Sequence, residues 1–291
     1  MILVLAGPTS AGKTEVALQI AERFGAVILS ADAMQVYRGL DIGTGKATAE
    51  ERARILHLGI DVVEIDQPFS AGDFVALGDR AIAEHPRVVV AGGTSLYLRA
   101  LLRGLVETPP VDLELRARLE ALDDPHAELL RIDPVLAERL HPRDTLRLVR
   151  GLEVFYQTGQ LLSELQAEHA RAPDRIPHRA LWLDRDDLND RIDARVHQMI
   201  ASGYVEEVRG VLGAGFDRHL KPLRSLGYRH LCDHLLDGVS LGEAVRRTQQ
   251  DTRRFARKQR TWMRGLGLER VTSDHLQRAL AEARRCFGVT P

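Results

Sequence analysis

The chain has 291 residues, 44% of them hydrophobic, which is enough to bury the core of one large domain or two of ordinary size. Its formal net charge is −1, so no global field draws it to nucleic acid or membrane, and such a partner would have to be met by a local patch. Neither Cys232 nor Cys286 lies in a C-x-x-C pair, which argues against a disulfide scaffold or zinc site. No apolar stretch is long enough to span a bilayer, and the N-terminal run is too short for a signal peptide, so we expect a cytosolic protein.

The first fourteen residues carry the strongest motif. An apolar run, residues 1–6, predicts a strand. It leads into a full match to G-x-x-x-x-G-K-[ST], made of Gly7, Pro8, Thr9, Ser10, Ala11, Gly12, Lys13 and Thr14. The glycines let several backbone N–H groups converge on an anion, and the next helix adds its positive N-terminal end. We expect Lys13 to reach the outer phosphates of a bound compound and the Thr14 hydroxyl to ligate Mg²⁺.

The next elements continue a strand and helix alternation. Apolar spacing predicts a helix over residues 15–24 and a buried strand over residues 26–30, followed by Asp32. Because ligands lie at the C-terminal edge of parallel strands, Asp32 is a candidate for chemistry. The alternative is that Asp32 only caps a short helix over residues 33–37. The glycine-rich residues 39–46 lack the spacing of a second phosphate loop and are predicted to be a mobile connection.

Residues 87–91 predict another buried strand, which ends in Gly92, Gly93 and Thr94 with no acidic residue. In nucleotide-hydrolysing relatives of the loop, an Asp at such a strand end holds Mg²⁺. Ordinary ATP hydrolysis is therefore not the expected use of the loop.

Residues 112–166 change to short helices punctuated by proline and aspartate, which predicts a helical insertion in a core of residues 1–111 and 167–291. Residues 179–184 predict a return to the sheet. The sequence thus predicts an α/β fold: a P-loop NTPase-like parallel sheet flanked by helices, with a helical insertion domain.

The C-terminal half is rich in arginine. Residues 189–212 predict one long helix, on which Arg191 and Arg195 could clamp a diphosphate; ion pairs with neighbouring aspartates are the alternative. Residues 246–264 hold eight basic residues against one acidic residue. We expect Phe255, Trp262 and Met263 to pack there while the basic face stays in solvent and binds a phosphate backbone, through Arg253, Arg254, Arg257 and Lys258.

Five stretches, in this order, closely resemble the bacterial tRNA dimethylallyltransferases, and the resemblance runs almost end to end. They are residues 7–14, 30–44, 92–97, 226–229 and 257–262. Two departures are Ala33, where the family commonly has Ser, and Gly45, where it commonly has another residue. We expect Gly45 to loosen its loop.

The resemblance implies transfer of the dimethylallyl group of dimethylallyl diphosphate to N6 of adenosine 37, in the anticodon stem-loop of tRNA. It implies that Asp32 is the general base and that Thr94 and Arg195 help to hold the diphosphate. It further implies that tRNA is contacted by Asp32, Ala33, Met34, Gln35, Thr94, Arg116, Leu146, Arg147, Leu148, Val149, Arg150, Arg224, Ser225, Leu226, Gly227, Tyr228 and Arg229. For Arg147 and Arg150, solvated side chains on a surface helix are the alternative. We expect a monomer.

The chemistry agrees with these residue types. Adenine's exocyclic nitrogen is a poor nucleophile, so a carboxylate that takes its proton assists attack, while a phosphate loop, Lys13, Mg²⁺ and an arginine stabilise the departing diphosphate. Two other enzymes could use the same loop: a small-molecule kinase, and an isopentenyltransferase that acts on a free adenine nucleotide. A nucleotide-dependent RNA-binding protein is a third alternative, which leaves Asp32 and Thr94 without a use.

Overall fold

The structure is a computed structural model that describes residues 1–288. The chain divides into two compact units, a larger one of residues 1–102 with residues from 175 onward, and a smaller one of residues 103–174. The predicted insertion, residues 112–166, falls inside the smaller unit. The last three residues of the predicted core, 289–291, lie outside the described residues.

A parallel sheet forms the centre of the larger unit. Within residues 1–288 its six strands are β1 (Ile2–Ala6), β2 (Val27–Ala31), β3 (His57–Leu58), β4 (Val88–Gly92), β5 (His178–Leu183) and β6 (Glu269–Val271). Their order is β3-β2-β4-β1-β5-β6, and every neighbouring pair is parallel. The predicted α/β class and strands are therefore confirmed.

Helices cover both faces of the sheet. In chain order the helices of the described residues are α1 (Lys13–Phe24), α2 (Ala49–Arg54), α3 (Ala71–Glu84), α4 (Ser95–Arg103), α5 (Leu113–Glu120), α6 (Pro125–Ile132), α7 (Pro134–Ala137), α8 (Thr145–Thr158), α9 (Leu162–Arg171), α10 (Leu188–Ala201), α11 (Tyr204–Gly213), α12 (Tyr228–Asp237), α13 (Leu241–Gly265) and α14 (His275–Phe287). Alternate residues of β1 point to opposite faces, so Val4 belongs to a core with α3, α4, α11 and α12, and Leu3 to a core with α1 and α14. Both cores are apolar, which explains the continuous hydrophobic strands.

Two helices considered from the sequence, one predicted and one an alternative, differ from the structure. The long helix predicted over residues 189–212 is two helices, because Gly203 has a φ of 100°, which a right-handed helix cannot continue. Residues 33–36 form turns and Tyr37 makes an isolated bridge with Val63, so the short helix that Asp32 would have capped is absent. The Asp32 side chain still accepts a hydrogen bond from the Met34 backbone at 2.8 Å, as Asp does in turns.

The smaller unit contains α5 to α9 around its own core, in which Leu129, Leu148 and Leu152 are fully buried. The Glu153 side chain is also fully buried, and it pairs with Arg116 at 2.7 Å and with Arg150 at 2.5 Å. Across residues 1–288, no helix has both the length and the apolar character that crossing a membrane requires.

Candidate active site

The phosphate loop joins β1 to α1. A Cβ on Gly7 would lie 2.3 Å from the carbonyl oxygen of Leu183, and Gly12 has a φ of 90°, so each position requires glycine for a different reason. Ala11, at the loop's centre, is buried in a small apolar cluster. Its partners come from α10 and α13, and they are Leu188, Ile192 and Ala256. Two helices from the C-terminal half thus hold the loop in place.

Lys13 is placed to bind an anion. Its Nζ donates to the Pro8 carbonyl at 2.7 Å. Burial lowers the pKa of Lys13 to about 8; the nearby Asp32 carboxylate opposes this shift, and the Arg195 guanidinium adds to it. An anion would compensate the buried positive charge.

Two arginines of α10 face the same loop. Arg191 donates through Nε to the Ser10 carbonyl at 3.1 Å. Burial lowers the pKa of Arg195, with Asp32 acting in the opposite direction and Arg191 in the same one. The sequence also allowed Arg191 and Arg195 to pair with neighbouring aspartates. Asp193 is not such a partner, because its carboxylate pairs with Arg253 of α13.

Gly45 makes room for Arg195. A Cβ at this position would lie 1.9 Å from Nη2 of Arg195, and Gly45 has a φ of 62°. The glycine therefore permits close approach of the guanidinium to the backbone, which differs from the loosening role expected from sequence.

The end of β2 holds the second group of predicted residues. Thr94 accepts through Oγ1 from the Ala33 backbone at 3.0 Å and donates its own N–H to the Ala31 carbonyl at 3.1 Å. Asp32 uses Oδ1 to accept from Met34 at 2.8 Å. Among the described residues no protein donor reaches its other carboxyl oxygen, which leaves that oxygen available for proton transfer.

The two groups line one cleft of about 880 Å³. Its wall includes Lys13 and Thr14 from the loop, Asp32 and Gln35 from the end of β2, and Arg195 from α10. Gln35 also donates to the carbonyl of Gly45 at 3.2 Å. Phosphate-binding groups and a carboxylate therefore share one space, whereas Thr94 acts through Ala33.

Residues 39–46 are firmly held, in contrast to the predicted mobile connection. The Glu207 carboxylate accepts from the backbone N–H groups of Asp41 at 2.8 Å, Ile42 at 2.6 Å and Gly43 at 3.1 Å. Lys46 is buried and donates to the Tyr37 carbonyl as well as to carboxylates of the same region. Long-range polar contacts supply what the local composition does not indicate.

Gln259 is a site residue that sequence reasoning missed. It lies on α13, is 6% exposed, and bonds both to Thr9 in the phosphate loop and to Gly93 after β4, each at 2.9 Å. The sequence held one indication of its role, because Gln259 is a polar residue within the stretch 257–262 that carries the family resemblance.

The predicted tRNA residues 224–229 divide into exposed and buried positions. Arg224 and Arg229 are exposed, and Arg229 pairs with Asp251. Tyr228 is buried and its hydroxyl donates to Glu207 at 2.6 Å. Ser225 and Leu226 are half-buried, and Gly227 is buried. In this stretch the arginines offer the accessible charge.

The predicted tRNA residues of α5 and α8 belong to the smaller unit. Leu146 and Arg147 are exposed, and Arg147 pairs with Asp144. Leu148 and Val149 are buried in the core of this unit, so their side chains have no accessible surface for a ligand. Arg116 and Arg150 are half-buried on Glu153.

The basic face of α13 is smaller than its sequence suggests. Arg253 and Arg254 pair with Asp193 and Asp251, whereas Arg257 and Lys258 are exposed and have no ion pair within residues 1–288. The predicted packing of Phe255, Trp262 and Met263 is wrong in part. Phe255 is 40% exposed and Trp262 is 41% exposed, and Met263 alone of the three is buried.

Thr14 is suited to contribute to a magnesium site. Its side chain is exposed, lines the cleft and has no hydrogen-bond partner among the described residues. No cluster of three or more metal-ligating His, Cys, Asp or Glu residues occurs in residues 1–288. Mg²⁺ on a phosphate substrate needs only one or two protein oxygens, so a hydroxyl beside the loop fits such an ion.

Comparisons with known proteins agree over most of the chain. A family model described as IPP transferase matches residues 35–266, and one described as isopentenyl transferase matches residues 1–68. A tRNA dimethylallyltransferase of Geobacter metallireducens is 46% identical, with 90% of this chain and 89% of the relative covered.

Two solved structures are also similar, those of tRNA isopentenylpyrophosphate transferases from Bacillus halodurans and Staphylococcus epidermidis. The Bacillus protein has a TM-score of 0.71 and 30% identity, covering 98% of this chain and 94% of that one. The Staphylococcus protein has a TM-score of 0.70 and 29% identity, covering 98% and 97%. With a P-loop fold, a carboxylate facing the loop across one cleft, and these relatives, the chain belongs to the IPP transferase family of tRNA prenyltransferases.

Proposed function

We propose that this protein transfers the dimethylallyl group from dimethylallyl diphosphate to N6 of adenosine 37 in the anticodon stem-loop of tRNA, and releases diphosphate. One observation carries the proposal: Lys13, Arg195 and Asp32 line the same cleft. The phosphate-binding groups suit the leaving group, and the carboxylate suits the proton of the nucleophile.

The diphosphate is held by residues 7–14 in this proposal. Negative charge grows on the diphosphate as its bond to the allylic carbon breaks. The N–H groups at the start of α1, the Lys13 ammonium and the Arg195 guanidinium are positive groups already in place before that charge develops. Arg191 supports this arrangement by holding the Ser10 carbonyl.

The adenine meets the end of β2. N6 forms a bond to the allylic carbon and gives its proton to the free carboxyl oxygen of Asp32. Thr94 holds the backbone of Ala33 and thereby orients the turn that carries Asp32. Because adenosine 37 lies in a single-stranded loop, its base can leave the stack and enter a protein cleft at modest cost.

The cofactor in this proposal is Mg²⁺, which the Thr14 hydroxyl would hold together with the bound diphosphate. When bound it neutralises part of the leaving group's charge. The chain's own groups complement it, since Lys13 and Arg195 are cationic and Thr14 offers a neutral oxygen ligand.

The tRNA lies against exposed basic side chains. In the larger unit these are Arg224, Arg229, Arg257 and Lys258, and in the smaller unit Arg147. Arg253 and Arg254 join them when phosphates compete for their ion pairs. The protein acts as a monomer in the cytoplasm.

Incubation with unmodified tRNA, dimethylallyl diphosphate and Mg²⁺, followed by mass analysis of digested nucleosides, tests the proposal. We expect a dimethylallyl adduct on adenosine at position 37, and none in a tRNA with another base there. Free adenine nucleotides and ATP serve as competing substrates. Prenylation of free nucleotide, phosphoryl transfer from ATP, or tRNA binding without transfer would each support one of the three alternatives instead.

A further inference from the structure

Gln259 joins two segments on different sides of the candidate active site. Its Oε1 accepts from the backbone N–H of Thr9 at 2.9 Å, and its Nε2 donates to the carbonyl oxygen of Gly93 at 2.9 Å. Thr9 belongs to the phosphate loop, and Gly93 immediately precedes Thr94. One side chain of α13 therefore connects the loop that receives the diphosphate to the strand end that supports the Asp32 turn.

The chemistry of this contact specifies an amide. A glutamine presents one acceptor and one donor from a single planar group, which is what a backbone N–H and a backbone carbonyl require. An ionised carboxylate would satisfy Thr9 but would face the Gly93 carbonyl without a donor. Gln259 is 6% exposed, so water cannot readily replace either bond.

Gly93, which lies opposite the Gln259 amide, has no side chain to obstruct this contact. A Cβ on Gly93 would lie 2.3 Å from Nε2 of Gln259 and 3.1 Å from the Gly7 carbonyl oxygen. Gly93 is not among the described glycines with positive φ, so its backbone conformation is open to other residues. Glycine is needed there to leave space for the Gln259 amide.

We infer that Gln259 is a positioning residue for transfer, which sets the separation between the phosphate loop and the end of β4. This inference rests on the proposed function. Gln259 does not line the cleft, so it acts through Thr9 and Gly93 and touches neither substrate. In the proposed function the first of these segments holds the diphosphate, and the second supports, through Thr94, the Asp32 turn that meets the adenine. A misplacement of about 1 Å between reacting groups can reduce the rate about 10²-fold.

Gln259→Met tests this role, because methionine has a similar length but neither the donor nor the acceptor. We expect the single-turnover rate at saturating substrates to fall about 10²-fold, while the dissociation constants of dimethylallyl diphosphate and tRNA, measured separately, change about threefold or less. Gln249→Met is the matched control. Gln249 lies on the same helix and bonds to the Asp193 carbonyl and His197, away from the phosphate loop. We expect that variant to keep its rate within about twofold.

Gln259→Glu gives an independent readout. A protonated carboxyl group presents a donor and an acceptor as the amide does, whereas the ionised form lacks the donor. The ratio of its rate to the wild-type rate should therefore rise as the pH falls. Gly93→Ala should reproduce the Gln259→Met loss, and the double variant should lose little more than either single one.

The outcomes separate this inference from the proposed function. If the wild-type protein transfers no dimethylallyl group to tRNA, the proposed function fails. If the wild type transfers and Gln259→Met is equally fast, the positioning role is wrong. A variant that loses both binding affinities and its thermal stability in proportion to its rate would also overturn it, as would a pH-independent ratio for Gln259→Glu.

Discussion

The Tyr228 hydroxyl donates a 2.6 Å hydrogen bond to Glu207, whose carboxylate also holds the backbone of residues 41–43. The Tyr204 ring fills the space beside Gly43 and Gly227, where a Cβ would lie 2.2 Å and 2.5 Å from its atoms. Two stretches of the family resemblance, residues 30–44 and 226–229, are thus joined by one structural contact. The buried Tyr228 therefore supports the wall of the cleft indirectly, through Glu207.

Glu207→Ala should therefore destabilise the protein. It leaves three backbone N–H groups and one hydroxyl without their acceptor. Hydrogen bonds to a charged group contribute about 1.5–3 kcal/mol each to stability, and in the variant water can replace the acceptor at the exposed part of this contact. We expect the free energy of unfolding in urea to fall by about 2–4 kcal/mol. The neighbouring Glu206 is exposed, and within residues 1–288 its one ion pair is with Arg209. Glu206→Ala should change stability by about 0.5 kcal/mol or less, and an equal loss in both variants would contradict this account.

Diphosphate binding should weaken above pH 8. Burial lowers the pKa of Lys13 to about 8 in the free protein, so binding at higher pH must first restore its proton. We expect the dissociation constant of dimethylallyl diphosphate, measured by titration calorimetry without tRNA, to rise toward about tenfold per pH unit above pH 8. Lys13→Arg keeps its charge and should lack this dependence, and Lys13→Ala should lose turnover heavily at every pH. An unaltered pH profile in Lys13→Arg would assign the titration to another group.

The lowered pKa of Lys13 also affects folding. Whereas diphosphate binding weakens as the pH rises, the stability of the fold increases. Because the folded protein binds this proton less tightly than the unfolded chain, whose lysine titrates near 10.5, Lys13 destabilises the fold most below pH 8. This cost is relieved as the pH rises from about 8 toward 10.5. Lys13→Met should raise the urea midpoint at pH 7 more than at pH 10, and the reverse order would show that burial is not the cause.

Asp32→Asn separates the structural role of Asp32 from its catalytic role. Asparagine can still accept from the Met34 backbone, so the turn after β2 should persist and stability should change by about 1 kcal/mol or less. It cannot take a proton, so the single-turnover rate should fall about 10²–10⁴-fold while both substrates bind within a few-fold of wild type. Near-normal transfer by a well-folded variant would return Asp32 to a role in the turn alone.

The basic face of α13 should contribute unequally to tRNA binding. Arg257 and Lys258 are exposed without ion pairs among the described residues, so each is free to meet a phosphate. Changing both to Ala should reduce the slope of log affinity against log salt by about 1.4–1.8. Arg246 and Arg247 both pair with Glu243, and the control variant with both changed to Ala should reduce the slope less. If the wild type and the double variant had equal slopes, Arg257 and Lys258 would be solvated surface residues that do not contact tRNA phosphates.

Local patterns in the sequence were enough to predict the phosphate loop, the flanking strands and the α/β class. A phosphate loop is contiguous, since its glycines, Lys13 and Thr14 act from one turn of backbone. Strands buried on both faces are likewise visible as short apolar runs. Asp32 was recognised as a candidate because it follows such a strand, and the position of a residue at a strand end is a local property.

Contacts between distant segments were decided only by the tertiary structure. Gln259 bonds to Thr9 across 250 positions, and no periodicity predicts that partner. The break between α10 and α11 at Gly203 also depends on where the buried Tyr204 packs. Arg150 and Arg253 look like solvated charges in the sequence, yet they pair with Glu153 and Asp193. The physical reason is that local propensity determines which elements form, whereas burial and hydrogen bonding between elements determine which side chains face the cleft.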